Sequence, residues 1–259
     1  MEPKKNTKKP LLLIAEDQPV NQKVFSLLLD KLGCAYAIAS NGQEALEKID
    51  DREPDLIFMD IQMPVLNGYE ATKKLRAKGY KKPIIAVTAS DQKGELDSCF
   101  DAGMDDVLIK PIKRSDIVVI LQKWIGFLNI KIDTLSPVEE DDLITGTVFD
   151  IEGMLERFMN NEEVACQLLI RFIERTQGQL ESIQIQVDKG DLESAYLDAH
   201  TIKGAAFTLG GMALGKIAGR LEMACKNNDQ EEMDIAYGLI CETFCSFKKA
   251  AENYVRGRS

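Results

Sequence analysis

From Leu11 to about Phe127 the apolar positions fall into short runs of strand length: LLLIA from Leu11, AYAIA from Ala35, LIFMD from Leu56, IIAVT from Ile84 and DVLIK from Asp106. Amphipathic stretches of helical length separate them, and Asn41-Gly42 and Gly79 punctuate the joins. Strands alternating with helices predict an α/β, doubly wound, five-stranded parallel sheet over residues 11–127, covered on both faces. Beyond residue 148 the period changes. Leu192, Ala195, Ala199, Ile202, Ala206 and Leu209 form one stripe in steps of three and four, and Met233, Tyr237, Ile240, Phe244 and Phe247 form another. Glu162 to Val187 reads as one long helix or two joined near Gly178. With breaks at Lys189-Gly190-Asp191, Gly210-Gly211 and Asn227-Asn228-Asp229, residues 149–255 predict an all-α bundle with a four-helix core. Residues 128–148 keep no period and carry Pro137, Gly146 and four consecutive acids from Glu139. They read as a linker, which if flexible spans roughly 25 Å.

In a parallel sheet of this kind, ligands sit at the carboxyl ends of the strands. Strand one ends in Glu16-Asp17, strand three in Asp60, strand four in Thr88 and strand five in Lys110-Pro111. Clustered carboxylates stay ionised only beside a counter-cation. Hard oxygen ligands without thiols suit Mg²⁺, which keeps several waters and shares phosphate oxygens. Lys110 can pair with a phosphoryl group, Thr88 can donate a hydrogen bond to one, and one carboxylate is left to act as nucleophile. A lone acid at a strand end reads as a cap; five matching positions read as a site.

AED near the start, FMDIQMP around Asp60, VTAS around Thr88 and LIKPI around Lys110 together resemble the flavodoxin-like receiver domain of two-component response regulators, over residues 10–127. The resemblance implies that Asp60 takes a phosphoryl group. It implies Glu16, Asp17, Asp60 and the backbone carbonyl of Gln62 as Mg²⁺ ligands, Thr88 and Lys110 on the phosphoryl oxygens, and a cis Lys110-Pro111 bond. DQPVNQKV resembles receivers attached to hybrid sensor kinases. Receivers that signal by conformational change usually carry an aromatic residue three positions before the lysine. Here Val107 stands there, a departure better suited to relaying the group than to switching on it.

His200 is the only histidine in 259 residues. One position past Ala199, it lies about 100° around its helix from the core stripe, on a face shared with Lys203, Gly204 and Phe207. That predicts an exposed imidazole. A glycine inside a helix costs about 1 kcal/mol against alanine, so Gly204 needs a reason of packing or access. Lys203 supplies positive charge for a phosphorylated ring. AHTIKGAAFTLGG closely resembles the signature of histidine-phosphotransfer (HPt) domains, over residues 149–255. The resemblance implies that His200 carries a phosphoryl group, that Lys203 supports it and that Gly204 gives clearance for a docking receiver. GGMALGK from Gly210 imitates the start of a phosphate-binding loop. Ile217 stands where serine or threonine is required, and a helix precedes it where a strand is needed.

Composition narrows the class. Net charge of −10 argues against general nucleic-acid binding. No apolar run is long enough to span a bilayer, and residues 1–10 read as a basic tail without the apolar core of a signal peptide. Six scattered cysteines without a CxxC pair suit a reduced, cytoplasmic protein. The initial Met and basic tail favour a free-standing chain. The expected function is phosphorelay signal transduction rather than enzymatic turnover: no ATP-binding motif is apparent, so a sensor histidine kinase stands upstream, and receiver or HPt domains of other two-component proteins are the exchange partners. In the favoured reading the group passes between Asp60 and His200. The alternatives are a receiver that regulates the HPt domain or drains phosphoryl groups, a Mg²⁺-dependent phosphohydrolase, and a scaffold.

Overall fold

The computed structural model describes residues 9–51, 53–89, 93–127 and 148–257. Most of the basic tail and all of the linker up to residue 147 lie outside the described residues. The chain divides into two compact units, taken separately below.

The first unit alternates five strands with five helices: β1 Leu11–Ala15, α1 Pro19–Leu32, β2 Ala35–Ala39, α2 Gly42–Asp51, β3 Leu56–Asp60, α3 Gly68–Ala77, β4 Ile84–Thr88, α4 Lys93–Asp101, β5 Asp106–Ile109 and α5 Arg114–Ile125. The strands are parallel, in the order β2-β1-β3-β4-β5. Every residue of the central β3 and β4 is buried, as continuous apolar runs require when helices cover both faces of a sheet. The strand order reverses beside β1, so the β1 and β3 ends open a crevice. Register sets its floor: Asp60 pairs with Val87, and Thr88 with Ile109. Gly68 begins α3 where any Cβ would run into the Asp60 carbonyl. Only glycine lets this loop fold back against the strand end.

The second unit is a bundle of α7 Glu162–Asp188, α8 Leu192–Thr208, α9 Met212–Asn227 and α10 Gln230–Arg256, preceded by the short α6 Ile151–Arg157. The segment from Glu162 is one helix of 27 residues and does not break at Gly178. Asp191 and Asp229 cap α8 and α10 through their carboxylates. Gly190, Gly210 and Asn228 take the left-handed conformation that ends the preceding helices. The bundle closes in a ring, α7 on α8, α8 on α9, α9 on α10 and α10 on α7. Ala195, Ala199, Ile202 and Ala206 from α8 and Leu209 just past its end are fully buried, as are Ile240 and Phe247 from α10. A Cβ at Gly215 would enter the Phe207 ring, and one at Gly219 would touch the Lys203 stem at 3.5 Å. These two glycines of α9, one turn apart, let it approach α8 closely. Of the GGMALGK segment, Gly210 and Gly211 belong to the turn between those helices and Met212 to Lys216 begin α9. The segment forms no strand-to-helix phosphate loop.

Candidate functional site

Two polar sites are built into these scaffolds. In the first unit, Glu16 and Asp17 follow β1, Asp60 ends β3, Thr88 ends β4 and Lys110 follows β5, so parallel strand ends deliver all five to one edge. One oxygen each from Glu16, Asp17 and Asp60 lies within 4.8 Å of the others. The Lys110 ammonium sits 2.5 Å from Asp60 Oδ2 and 2.8 Å from Glu16 Oε2. Its side chain is 2% exposed. Burial pulls the Lys110 pKa down, but Asp60 and then Glu16 outweigh that and hold it above the ordinary lysine value. The Lys110-Pro111 peptide is cis.

A set of amides holds the carboxylates in place. The Gln18 backbone N–H and Asn21 Nδ2 donate to Glu16 Oε1 at 3.1 and 3.0 Å. Gln18 Nε2 donates to Asp17 Oδ2 at 2.9 Å, and the Gln62 N–H donates to Asp60 Oδ1 at 3.1 Å. Two buried oxygens, Asp17 Oδ1 and Gln62 Oε1, accept no hydrogen bond from the described residues. Burial, with the Glu16 charge second, pushes the Asp17 carboxyl up to about 6. Three acids, one ammonium and orphaned oxygens form a site short of positive charge, which a hard dication would complete.

The second site lies between α8 and α9. His200 Nδ1 meets Glu222 Oε1 at 2.7 Å, and Lys203 Nζ donates to Glu222 Oε2 at 2.9 Å. Burial raises the Glu222 pKa, but the His200 hydrogen bond and the charges of His200 and Lys203 outweigh it and hold the carboxyl below the usual range. Glu222 is therefore ionised at neutral pH and can only accept. A neutral ring can hydrogen-bond that carboxylate only by donating Nδ1–H, the tautomer that leaves the lone pair on Nε2.

His200 is not the exposed imidazole that helical periodicity predicts: the residue is 8% exposed. It leaves the α8 core stripe, as the spacing says, but α9 covers that flank, and Glu222 gives the ring a buried partner. Gly204 is also buried, and its carbonyl accepts from the Thr208 hydroxyl at 3.0 Å. Lys203 is engaged by Glu222. Glu222 itself escaped the sequence reading. Its signal is a carboxylate inside the apolar stripe Leu214, Ala218, Leu221, Cys225 of α9, all buried. Glu95 also escaped it: in the first turn of α4, its Oε1 accepts from the Thr88 hydroxyl at 2.6 Å.

Comparison with known proteins matches each site to a family. The family model of the response regulator receiver domain matches residues 12–122, and that of the Hpt domain matches residues 167–241. The chain is 26% identical over 235 residues to the sensor protein GacS of Pseudomonas syringae pv. syringae, covering 87% of this chain and 26% of that protein. It is 27% identical over 220 residues to the sensor protein EvgS of Escherichia coli K12, covering 85% and 17%. It thus spans about a quarter or less of these two relatives. Among solved structures, the receiver domain of the sensor histidine kinase PA1611 from Pseudomonas aeruginosa, described with a magnesium ion in its active-site cleft, is 41% identical. That match covers 46% of this chain and 99% of the other, with a TM-score of 0.44. The receiver match lies over the carboxylate edge and the Hpt match over His200, so the chain carries a response regulator receiver domain followed by an Hpt domain.

Proposed function

We propose that Asp60 accepts and His200 carries a phosphoryl group, and that the group passes between such sites, within this protein or with partner two-component domains. The domains would run from 11 to 127 and from 149 to 255. The observation that carries this reading is the division of labour around each nucleophile. Asp60 offers a carboxylate oxygen beside a buried ammonium, and His200 offers Nε2 because Glu222 holds Nδ1–H.

Glu16, Asp17, Asp60 and the Gln62 carbonyl would hold Mg²⁺. Bound there, the ion would offset the charge of a phosphoryl group among carboxylates. On arrival, an Asp60 oxygen attacks phosphorus and the bond to the donor breaks, with Lys110 and Thr88 reaching the phosphoryl oxygens. In relay to a histidine, Nε2 attacks, the P–O bond to the aspartate breaks and a P–N bond forms. The aspartate leaves as carboxylate, and the proton stays on Nδ1, hydrogen-bonded to the Glu222 carboxylate. A sensor histidine kinase would stand upstream, with receiver or HPt domains of other proteins as exchange partners.

The test is phosphoryl tracking on the full chain with a small phosphodonor and Mg²⁺. Labile phosphoaspartate at Asp60, followed by alkali-stable phosphohistidine at His200 that is lost in His200→Gln, is expected. Phosphoaspartate alone would remove direct exchange. Continuous release of phosphate from small esters with neither adduct would remove the carrier reading.

Mg²⁺ makes a separate prediction. Without it, folded Asp17 keeps its proton up to about pH 6, against 3.8 for the ordinary carboxyl. Between those values the folded state binds the extra proton, so metal-free stability falls as pH rises through the window. A cation must expel that proton, so the stabilisation by Mg²⁺ grows over the same window. Thermal unfolding with millimolar Mg²⁺ is expected to show a clear rise in Tm at about pH 7.5 and a much smaller one at about pH 5. Equal rises would take Asp17 out of the ligand set.

A further inference from the structure

Gln18 and Asn21 stand at the start of α1 and do little for that helix. Gln18 is its N-cap residue, yet its side chain makes no capping hydrogen bond. A serine, threonine, aspartate or asparagine cap would contribute about 1 kcal/mol there. Asn21 belongs to the poorer helix formers and is 1% exposed. Both amides instead turn back to the acids that follow β1. Gln18 Nε2 donates to Asp17 Oδ2, and Asn21 Nδ2 joins the Gln18 backbone N–H on Glu16 Oε1. Gln18 is buried as well, so packing fixes both donors.

These bonds treat the two oxygens of each acid differently. One oxygen of Asp17 and one of Glu16 are held by amide N–H groups. The others are not: Glu16 Oε2 meets the Lys110 ammonium, and the buried Asp17 Oδ1 accepts no hydrogen bond from the described residues. A carboxylate clasps a cation through both oxygens only when neither is held elsewhere. Each acid is thereby restricted to one ligating oxygen.

That restriction discriminates between dications of equal charge. Mg²⁺ demands a tight, near-ideal octahedron and suits one oxygen per carboxylate, whereas the larger Ca²⁺ takes more oxygens and accepts bidentate carboxylates. We propose that Gln18 and Asn21 set the preference of this site for Mg²⁺ over Ca²⁺, by holding Asp17 and Glu16 to one ligating oxygen each. The inference rests on the reading of these acids and Asp60 as cation ligands. Gln18 and Asn21 act through the carboxylates and are positioning residues.

Calorimetric titration of the metal-free full chain with Mg²⁺ and, separately, with Ca²⁺ tests this with no phosphodonor present. The readout is the ratio of the two affinities. The wild type is expected to bind Mg²⁺ more tightly. Gln18→Met keeps the reach of the side chain and loses the donor. It is expected to weaken Mg²⁺ and strengthen Ca²⁺, lowering the ratio about tenfold, the scale on which a ligand's hydrogen-bond partner acts. Asn21→Ala leaves Glu16 Oε1 the Gln18 N–H and is expected to move the ratio the same way by less. Gln18→Lys restores an N–H donor. Its added charge weakens both ions alike, so the ratio is expected to stay near that of the wild type. A wild-type ratio in Gln18→Met, whether both affinities fall together or neither moves, overturns the selection. So does an equal fall of the ratio in Gln18→Met and Gln18→Lys, which would assign the effect to the shape of the loop, and so does a wild type that prefers Ca²⁺. A wild type that binds neither ion overturns the cation reading and the selection together.

Discussion

Replacing Lys110 with methionine is expected to cost the receiver unit about 3–5 kcal/mol in metal-free buffer, the usual price of removing one partner from a buried ion pair. Methionine keeps much of the apolar stem, so packing changes little. The charge does change. Glu16 and Asp60, with side chains 1% and 2% exposed, lose the ammonium that both of them face. Millimolar Mg²⁺ is expected to restore much of the loss, because a dication meets the same carboxylates. Asp60→Asn runs the opposite way. It removes one of three crowded acids and leaves Lys110 paired with Glu16, so metal-free stability is expected to hold or rise while phosphoryl acceptance falls to background. The comparison separates electrostatics from chemistry at one site. Trp124, the single tryptophan, lies in α5 with Nε1 donating to Asp106 Oδ2 at 2.8 Å. Denaturant titrations followed by its fluorescence therefore report the receiver unit without interference from the bundle. A loss in Lys110→Met that is equal with and without Mg²⁺ would assign Lys110 to packing rather than to charge balance.

The receiver edge was legible in the sequence because chain topology alone assembles it. Once five strands are parallel, their last residues must meet, and Glu16, Asp60, Thr88 and Lys110 are those residues or their neighbours. No side-chain detail is needed. The bundle was legible in the same sense, since stripes in steps of three and four find their own partners. What periodicity misses is contact between elements. The spacing placed His200 off the α8 stripe, correctly, and inferred exposure, wrongly, because a second helix covers that flank. Which residue of α9 faces it depends on the register of two helices, and Gly215 and Gly219 set that register through Phe207 and Lys203. Glu95 was invisible for a similar reason. A carboxylate in the first turn of a helix ordinarily answers the helix dipole, and nothing local distinguishes one that also takes a hydroxyl from the end of β4.

Glu222 is where the second large effect is expected. Removal of its carboxylate in Glu222→Ala leaves three things undone: the Nδ1 proton loses its acceptor, Lys203 loses its partner, and the ring is free to move its proton to Nε2, where the nucleophilic lone pair should be. Hydrogen bonds to charged groups contribute about 1.5–3 kcal/mol, so phosphohistidine formation is expected to slow by roughly 10- to 100-fold. Glu222→Gln keeps an acceptor oxygen without the charge and is expected to recover part of the rate. The stability effect has a defined sign. Glu222 titrates below the ordinary carboxyl range in the folded chain, so its contribution is present above that range and is lost as pH falls through the folded value. Wild type and Glu222→Ala should therefore differ in stability at neutral pH and converge in acid. Because His200 is the only histidine, one pair of imidazole ¹⁵N resonances reports the tautomer directly. The wild type is expected to carry its proton on Nδ1, and Glu222→Ala to shift towards Nε2. If the tautomer stays on Nδ1 in Glu222→Ala and phosphohistidine forms at the wild-type rate, then Glu222 only pairs with Lys203, and the reactivity of the imidazole must come from elsewhere.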